Sequence, residues 1–161
     1  VTARSSKAEP TIWVDSREQL PYSLPNAQVT SLKTGDYSIA TADRDYRDVI
    51  AVERKSHADF VMCVGAERER FERCLARLAT YEYPALVLEC TMSDLLAGTR
   101  FSAVHPNSVI GSLIGWSVKY RLPVWLAGNR EHAAMVVTKI LHNAVKYHDE
   151  GHDDGQPPAA G

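Results

Sequence analysis

The feature that most constrains this chain is an apolar run, Val49-Ile50-Ala51-Val52, that passes without a break into Glu53-Arg54-Lys55-Ser56. The run is rich in β-branched residues, so it reads as a strand that ends on charged groups. Side chains alternate faces along a strand, which puts Glu53 and Lys55 on the same side. A carboxylate and an ammonium held together at a strand end suit one recognisable task. The acid holds a hard divalent cation, and the lysine orients an attacking water beside it. That is the chemistry of phosphodiester hydrolysis.

One carboxylate seldom holds Mg²⁺ alone, so the run calls for a second acid upstream. Gly35-Asp36-Tyr37 lies between two short alternating apolar runs, and Val14-Asp15-Ser16-Arg17-Glu18 closes a strand predicted to begin at Thr11. Asp36 followed by Glu53-Arg54-Lys55 has the order D…E-x-K. With the acid on one strand and E-x-K on its hairpin partner, three functional groups meet at one sheet edge. Each piece alone occurs by chance in many chains; it is their order and closeness that carry the signal.

Taken together, Val14-Asp15-x-Arg17-Glu18, Gly35-Asp36-Tyr37 and Val52-Glu53-Arg54-Lys55-Ser56-x-x-Asp59 resemble the nuclease domain of the XPF/MUS family of structure-specific endonucleases. The family signature GDX(n)ERKX(3)D is present without a gap in its core. The likeness continues through Arg70-Phe71, the segment Pro84 to Glu89, and the stretch Val109 to Gly128, and so covers roughly residues 11 to 147. It implies an α/β, restriction-endonuclease-like three-layer fold of the PD-(D/E)XK superfamily, with a mixed central sheet flanked by helices.

The resemblance also implies a Mg²⁺- or Mn²⁺-dependent endodeoxyribonuclease acting on branched or flap-type DNA, at single-strand/double-strand junctions, in repair or recombination. On that reading Asp36 and Glu53 bind the metal, with the backbone carbonyl of Arg54 as a third ligand and Asp15 bound directly or through water. Lys55 hydrogen-bonds the nucleophile and the scissile phosphate. Arg17, Arg54 and Arg70 clamp phosphates or orient the acids, since guanidinium matches phosphate oxygens bidentately. Glu18 and Asp59 stand behind them, although an acid three residues after a Ser cap also stabilises a helix start whatever the function. Family members usually carry a tandem helix-hairpin-helix module after the nuclease domain, and some a helicase. Neither pattern occurs in this sequence, which bears on substrate preference more than on chemistry.

Two other classes remain open at this level. One is a DNA-binding pseudonuclease that keeps the fold and loses activity; the intact Asp15, Asp36, Glu53 and Lys55 argue against it. The other is a PD-(D/E)XK nuclease that cuts without regard to branching. Family nuclease domains often pair through their C-terminal elements, so Gly111-Ser112-Leu113-Ile114-Gly115 fits a homodimer contact, or equally close packing within one subunit.

The 161 residues support one core, and the formal net charge is −2. A nuclease with acidic metal ligands need not be basic overall. Arg44, Arg47, Arg54, Lys55, Arg68, Arg70, Arg73 and Arg77 surround the motif but alternate with acids, as on a salt-bridged solvated face. Three cysteines, Cys63, Cys74 and Cys90, fit no zinc spacing and read as free thiols in a reducing cytoplasm. With neither an apolar run long enough to span a membrane nor a signal peptide, the expected location is cytoplasmic or nucleoid-associated, and not secreted.

The expected organisation is a flexible segment 1–10, a nuclease domain 11–148 and a disordered tail 149–161. Strands are expected at Thr11–Asp15, Gln28–Leu32, Asp36–Ala40 and Asp48–Arg54, the first half forming an antiparallel meander. Ser56 caps a helix that Gly65 ends, and a second spans Ala66–Tyr81 with Phe71, Cys74, Leu75 and Leu78 on one face. A strand Ala85–Cys90, a helical turn Met92–Ala97, a helix Asn107–Tyr120, a strand Pro123–Ala127 and a long helix from Asn129 to His148 follow. Their alternation gives parallel strands with right-handed crossovers. Trp13 is expected in the core, and Trp116 and Trp125 in the core or an interface.

Overall fold

The computed structural model describes residues 8–153. Six strands form one sheet: β1 (Thr11–Asp15), β2 (Ala27–Thr30), β3 (Tyr37–Ala40), β4 (Ile50–Ser56), β5 (Tyr83–Glu89) and β6 (Val124–Leu126). Their spatial order is β2-β1-β3-β4-β5-β6. Five helices accompany them: α1 (His57–Val64), α2 (Arg68–Leu78), α3 (Met92–Ala97), α4 (Pro106–Tyr120) and α5 (Arg130–Asp153).

The alternation along β4 and β5 builds three layers. Ala51, Leu86 and Leu88 face a core shared with Phe60 of α1, Phe71 and Leu75 of α2, and Leu113 and Trp116 of α4. Ile50, Val52, Ala85 and Val87 face the other way, against Ala133, Val137, Leu141 and Ala144 of α5. Both faces of the central strands are therefore covered, which explains their continuous apolar sequence. Local signals set the boundaries. The Ser56 hydroxyl accepts the Asp59 N–H at 3.2 Å and starts α1; Asn129 accepts the His132 N–H at 2.8 Å and starts α5.

β3–β4 is antiparallel, and β4–β5 and β5–β6 are parallel, as expected from the element order. The meander is corrected at β2, which lies at the sheet edge and runs parallel to β1, with Ile12 opposite Ala27 and Asp15 opposite Thr30, while β3 pairs antiparallel with β1 and not with β2. The loop 16–26 carries the chain back along β1 before β2 begins, as a parallel neighbour requires. β3 and β4 each begin later than expected, and α2 is shorter at both ends. α5 extends past His148 to Asp153, into the segment expected as tail; residues 1–7 and 154–161 lie outside the described residues. Trp116 is a core residue, Trp125 is half exposed, and Trp13 is half-buried under the Arg47 guanidinium. The three cysteines are free. His148, whose type and acidic neighbours would suit a metal, is instead buried edge-on to Tyr46 and Tyr83, with Arg44 at 2.8 Å and Glu82 at 3.3 Å.

Candidate active site

Three strands deliver the acids to one place. β1 ends on Asp15, β3 begins after Asp36, and antiparallel β3–β4 pairing sets Tyr37 opposite Val52, so that Asp36 and Glu53 become neighbours. Gly35 makes the approach possible. Its φ is +79°, and a Cβ there would stand 3.0 Å from the Val52 carbonyl oxygen, so only glycine avoids strain. Two backbone hydrogen bonds then lock the corner: Asp36 N–H to the Val52 carbonyl and Asp15 N–H to the Asp36 carbonyl, both 2.8 Å.

Glu53 and Lys55 share the α2 side of the sheet. Lys55 Nζ donates to Glu53 Oε1 at 2.6 Å and lies 5.7 Å from the Phe71 ring centroid. Burial works against the Lys55 charge, but Glu53 more than compensates, and the ammonium titrates well above its ordinary value. Asp36 accepts the Arg54 N–H on Oδ2 at 2.8 Å. Burial, and then the Glu53 charge beside it, push the Asp36 carboxyl up to about 7. Among the described residues nothing donates to Asp36 Oδ1 or Glu53 Oε2. Two neighbouring carboxylates, each with an uncommitted oxygen, and Asp36 raised by the Glu53 charge, make a site that a small hard cation would relieve. Oxygen donors of this kind suit Mg²⁺ or Mn²⁺. No three His, Cys, Asp or Glu side chains among the described residues cluster closely enough to hold a metal by themselves, so water and backbone oxygen would complete the shell.

The other predicted residues divide between cavity and foundation. Asp15 lines the same cavity of about 260 Å³ as Asp36, Glu53 and Lys55, but its oxygens are engaged. Oδ1 accepts the Leu32 N–H at 2.9 Å and Oδ2 the Arg17 Nε–H at 2.7 Å. Burial raises the Asp15 pKa, but Arg17 and the Leu32 N–H outweigh it and leave it lowered. Arg17 and Arg70 are exposed at the cavity mouth, Arg70 beside Glu67 at 3.6 Å. Asp59 is exposed in the adjoining hollow, its backbone N–H on the Ser56 cap.

The Arg54 side chain lies on the opposite face from Glu53 and does not line that cavity, but borders the adjoining hollow with Arg17, Lys55 and Arg70. Its Nη1 meets Glu89 at 3.0 Å, its Nε and Nη2 meet Glu18 at 3.2 and 3.4 Å, and it stacks over Tyr22 at 5.3 Å. Glu18 is its partner beneath the site. The Tyr22 hydroxyl donates to Glu89, and Arg130 of α5 covers the other approach to Tyr22, 4.8 Å from the ring centroid. This arrangement anchors the residue whose N–H holds Asp36.

Sequence reasoning gave no site role to Arg77, named only among the arginines around the motif, nor to Glu67 and Lys33 in the cavity wall, nor to Glu89 and Tyr22 below it. Glu67 and Arg77 were traceable from the apolar face of α2, since Glu67 lies four before Phe71 and Arg77 three after Cys74 on a helix that must look at the sheet. Glu89 and Tyr22 carried no local signal.

Comparison with known proteins gives consistent results. XPF from Aeropyrum pernix superposes with a TM-score of 0.65 at 20% identity, covering 94% of this chain and 66% of that one. XPF from the same organism in complex with DNA gives 0.64 at 22% identity, over 86% of this chain and 66% of that one. These likenesses establish the fold. A Methanocaldococcus jannaschii protein named as a putative ATP-dependent RNA helicase, MJ1505, is 29% identical over 133 residues, which are 80% of this chain and 15% of that protein. The chain thus spans just under two thirds of the XPF chains and a small part of the helicase-named relative. The ERCC4 domain model matches residues 14–140, and with the intact Gly35-Asp36 and Glu53-Arg54-Lys55 corner inside that span the chain belongs to the ERCC4 domain family.

Proposed function

We propose that this domain is a divalent-metal-dependent endonuclease that hydrolyses phosphodiester bonds in DNA at branched, flap or single-strand/double-strand junctions, in repair or recombination. The observation that carries the reading is the pair Asp36–Glu53, crowded enough to raise the Asp36 pKa, with Lys55 in contact at 2.6 Å. Asp36, Glu53 and the backbone carbonyl of Arg54 would hold Mg²⁺ or Mn²⁺, with Asp15 acting through water or through Arg17. When bound, such a cation supplies Lewis-acid stabilisation of charge building on the phosphate and acidifies water.

The chain's own residues do the rest. Lys55 stays protonated at neutral pH, so it donates hydrogen bonds to the attacking water and the phosphate and does not abstract the proton. Asp36 and Glu53 fix the direction from which water approaches. Arg17 and Arg70 meet phosphate oxygens at the mouth, where their exposed guanidinium groups add charge-assisted hydrogen bonds. Glu18 and Glu89 hold Arg54, and Arg54 N–H holds Asp36. The XPF from Aeropyrum pernix that shares this fold occurs in complex with DNA, which supports DNA as the partner. A homodimer through C-terminal elements fits the exposed Ile114, Val118 and Trp125.

A panel of labelled flap, fork, junction, duplex and single-stranded DNA tests the reading with Mg²⁺ or Mn²⁺. Cleavage near the junction, lost in Asp36→Asn, is expected. Metal binding and DNA binding without any cut would instead identify a pseudonuclease, and equal cutting of plain duplex would identify a structure-independent enzyme.

A further inference from the structure

The loop between β1 and β2 carries Arg17, Glu18 and Tyr22, which hold Asp15, Arg54 and Glu89. Its apex has no apolar anchor. The Leu20 side chain is 66% exposed, and Pro21 has no N–H to give. The carbonyls of these two residues belong to no strand, so donors from elsewhere have to hold them. Arg54 reaches the Leu20 carbonyl from within, Nη2 to oxygen at 3.2 Å. The other donor comes from the last helix. Arg130 Nη2 gives to the Leu20 carbonyl at 2.6 Å and to the Pro21 carbonyl at 2.9 Å.

Arg130 is the first residue of α5, where a cation opposes the helix dipole. Its Nη1 stands 3.7 Å from Glu89 Oε1, and its side chain is 45% exposed; an ion pair that open stabilises little. The contacts that set it apart are those to the loop, where it closes over Leu20, Pro21 and the Tyr22 ring. Two short routes lead from there to Asp36. In one, the Leu20 N–H rests on Glu18 Oε1 at 3.0 Å, Glu18 holds the Arg54 guanidinium, and the Arg54 N–H holds Asp36 Oδ2. In the other, the Tyr22 N–H gives to the Tyr37 hydroxyl at 2.9 Å, and the two rings stack with centroids 5.3 Å apart; Tyr37 directly follows Asp36. Contacts behind a ligand carboxylate set how it points, and their loss usually costs about 10–100-fold in metal affinity or activity.

Resting on the metal-dependent nuclease reading, we propose that Arg130 is a positioning residue of the active site. By holding the Leu20 and Pro21 carbonyls it fixes segment 18–22, and through Glu18, Arg54 and Tyr37 it fixes Asp36 for the cation. It acts through the loop and not on the reacting atoms. The last helix thereby serves the site directly, from its first residue, besides covering the core beneath it.

Arg130→Ala and Arg130→Lys test this in the full chain. Alanine is the best helix former, so the start of α5 is kept. The Leu20 and Tyr22 amides, followed by hydrogen exchange in EDTA, should exchange at least about tenfold faster in Arg130→Ala. Mn²⁺ affinity, followed without DNA by the paramagnetic resonance of the free ion, should fall about tenfold. A lysine ammonium can give to both carbonyls from one nitrogen, as Nη2 does, so Arg130→Lys should recover most of both. Intact Mn²⁺ affinity in Arg130→Ala overturns the proposal, even with a lower urea midpoint, because Arg130 is then a structural contact only. Weaker Mn²⁺ binding with unchanged exchange overturns it too, since the effect then bypasses the loop. An Arg130→Lys as impaired as Arg130→Ala does the same, because the carbonyl contacts are then not what counts. Cleavage of flap DNA in Mg²⁺ is measured separately. A wild type that binds Mn²⁺ through the Arg130-held loop yet never cuts refutes the nuclease reading and upholds the positioning role. A wild type that cuts, beside an Arg130→Ala that binds Mn²⁺ and cuts equally well, refutes the positioning role alone.

Discussion

Asp36→Asn should stabilise the metal-free protein at neutral pH while abolishing its activity. In the native state Asp36 titrates at about 7 against an ordinary 3.8, so folding favours its protonated form. The contribution is therefore fully present below about pH 4, declines as pH rises, and is lost above about pH 7. Three units at about 1.36 kcal/mol each set a ceiling of about 4 kcal/mol. Asp36 is only half-buried, and solvent screening at such a site brings the working figure to about 2 kcal/mol. Asparagine still accepts the Arg54 N–H and carries no charge to oppose Glu53. Urea unfolding in EDTA at pH 4, 6 and 8 should show variant and wild type alike at the lowest pH and the variant ahead by about 2 kcal/mol at the highest. Adding Mn²⁺ should then stabilise the wild type and leave the variant unmoved. A variant no more stable than wild type at pH 8, or one whose advantage is the same at every pH, would refute the crowded-carboxylate argument.

Lys55→Ala should slow single-turnover cleavage of a flap substrate about 100- to 1000-fold, with affinity in Ca²⁺ changed by no more than one phosphate contact; loss of affinity in proportion to rate would make Lys55 a mere anchor. Lys55→Arg should recover only part of the rate, because a planar fork cannot take the ammonium's place. Gly35→Ala should cost about 1–3 kcal/mol in urea unfolding, since φ of +79° and the 3.0 Å approach to Val52 leave no room for a Cβ; an unchanged midpoint would contradict the geometry. Glu89→Gln should destabilise the fold by about 1–3 kcal/mol by leaving buried Arg54 short of a charge. It should also weaken Mn²⁺ binding in a thermal-shift titration, because Asp36 depends on the Arg54 backbone; stability loss with unaltered Mn²⁺ affinity would separate the two.

The parts of this protein legible in its sequence are those that local physics decides. The β-branched run of β4, the Ser56 and Asn129 caps and the spacing of Phe71, Leu75 and Leu78 are each settled within a few residues, and the structure contains them. The Asp36–Glu53–Lys55 corner was legible because strand alternation and one antiparallel pairing suffice to build it. The direction of β2 was not legible: four residues, mostly exposed, carry no amphipathic signal, and strand direction depends on where loop 16–26 delivers the chain. The burial of Arg54 under Glu18 and Glu89 was equally hidden, because these groups lie on three separate elements and only the folded sheet brings them together.

The division of labour across the sheet has a consequence for biosynthesis. Every residue of the Asp36–Glu53–Lys55 corner leaves the ribosome before α5, but the apolar face behind it is covered by Ala133, Val137, Leu141 and Ala144 of that helix. At about 5–20 residues per second, the gap between Lys55 and Ala144 lasts on the order of 10 s. During that time β1, β3 and β4 have no partner on the α5 side, and Arg130 is not yet there to close over Tyr22. A nascent or prematurely terminated chain thus holds all the acids while the α5 face behind them is bare, so the proposed catalytic corner is fully supported only once α5 has been made.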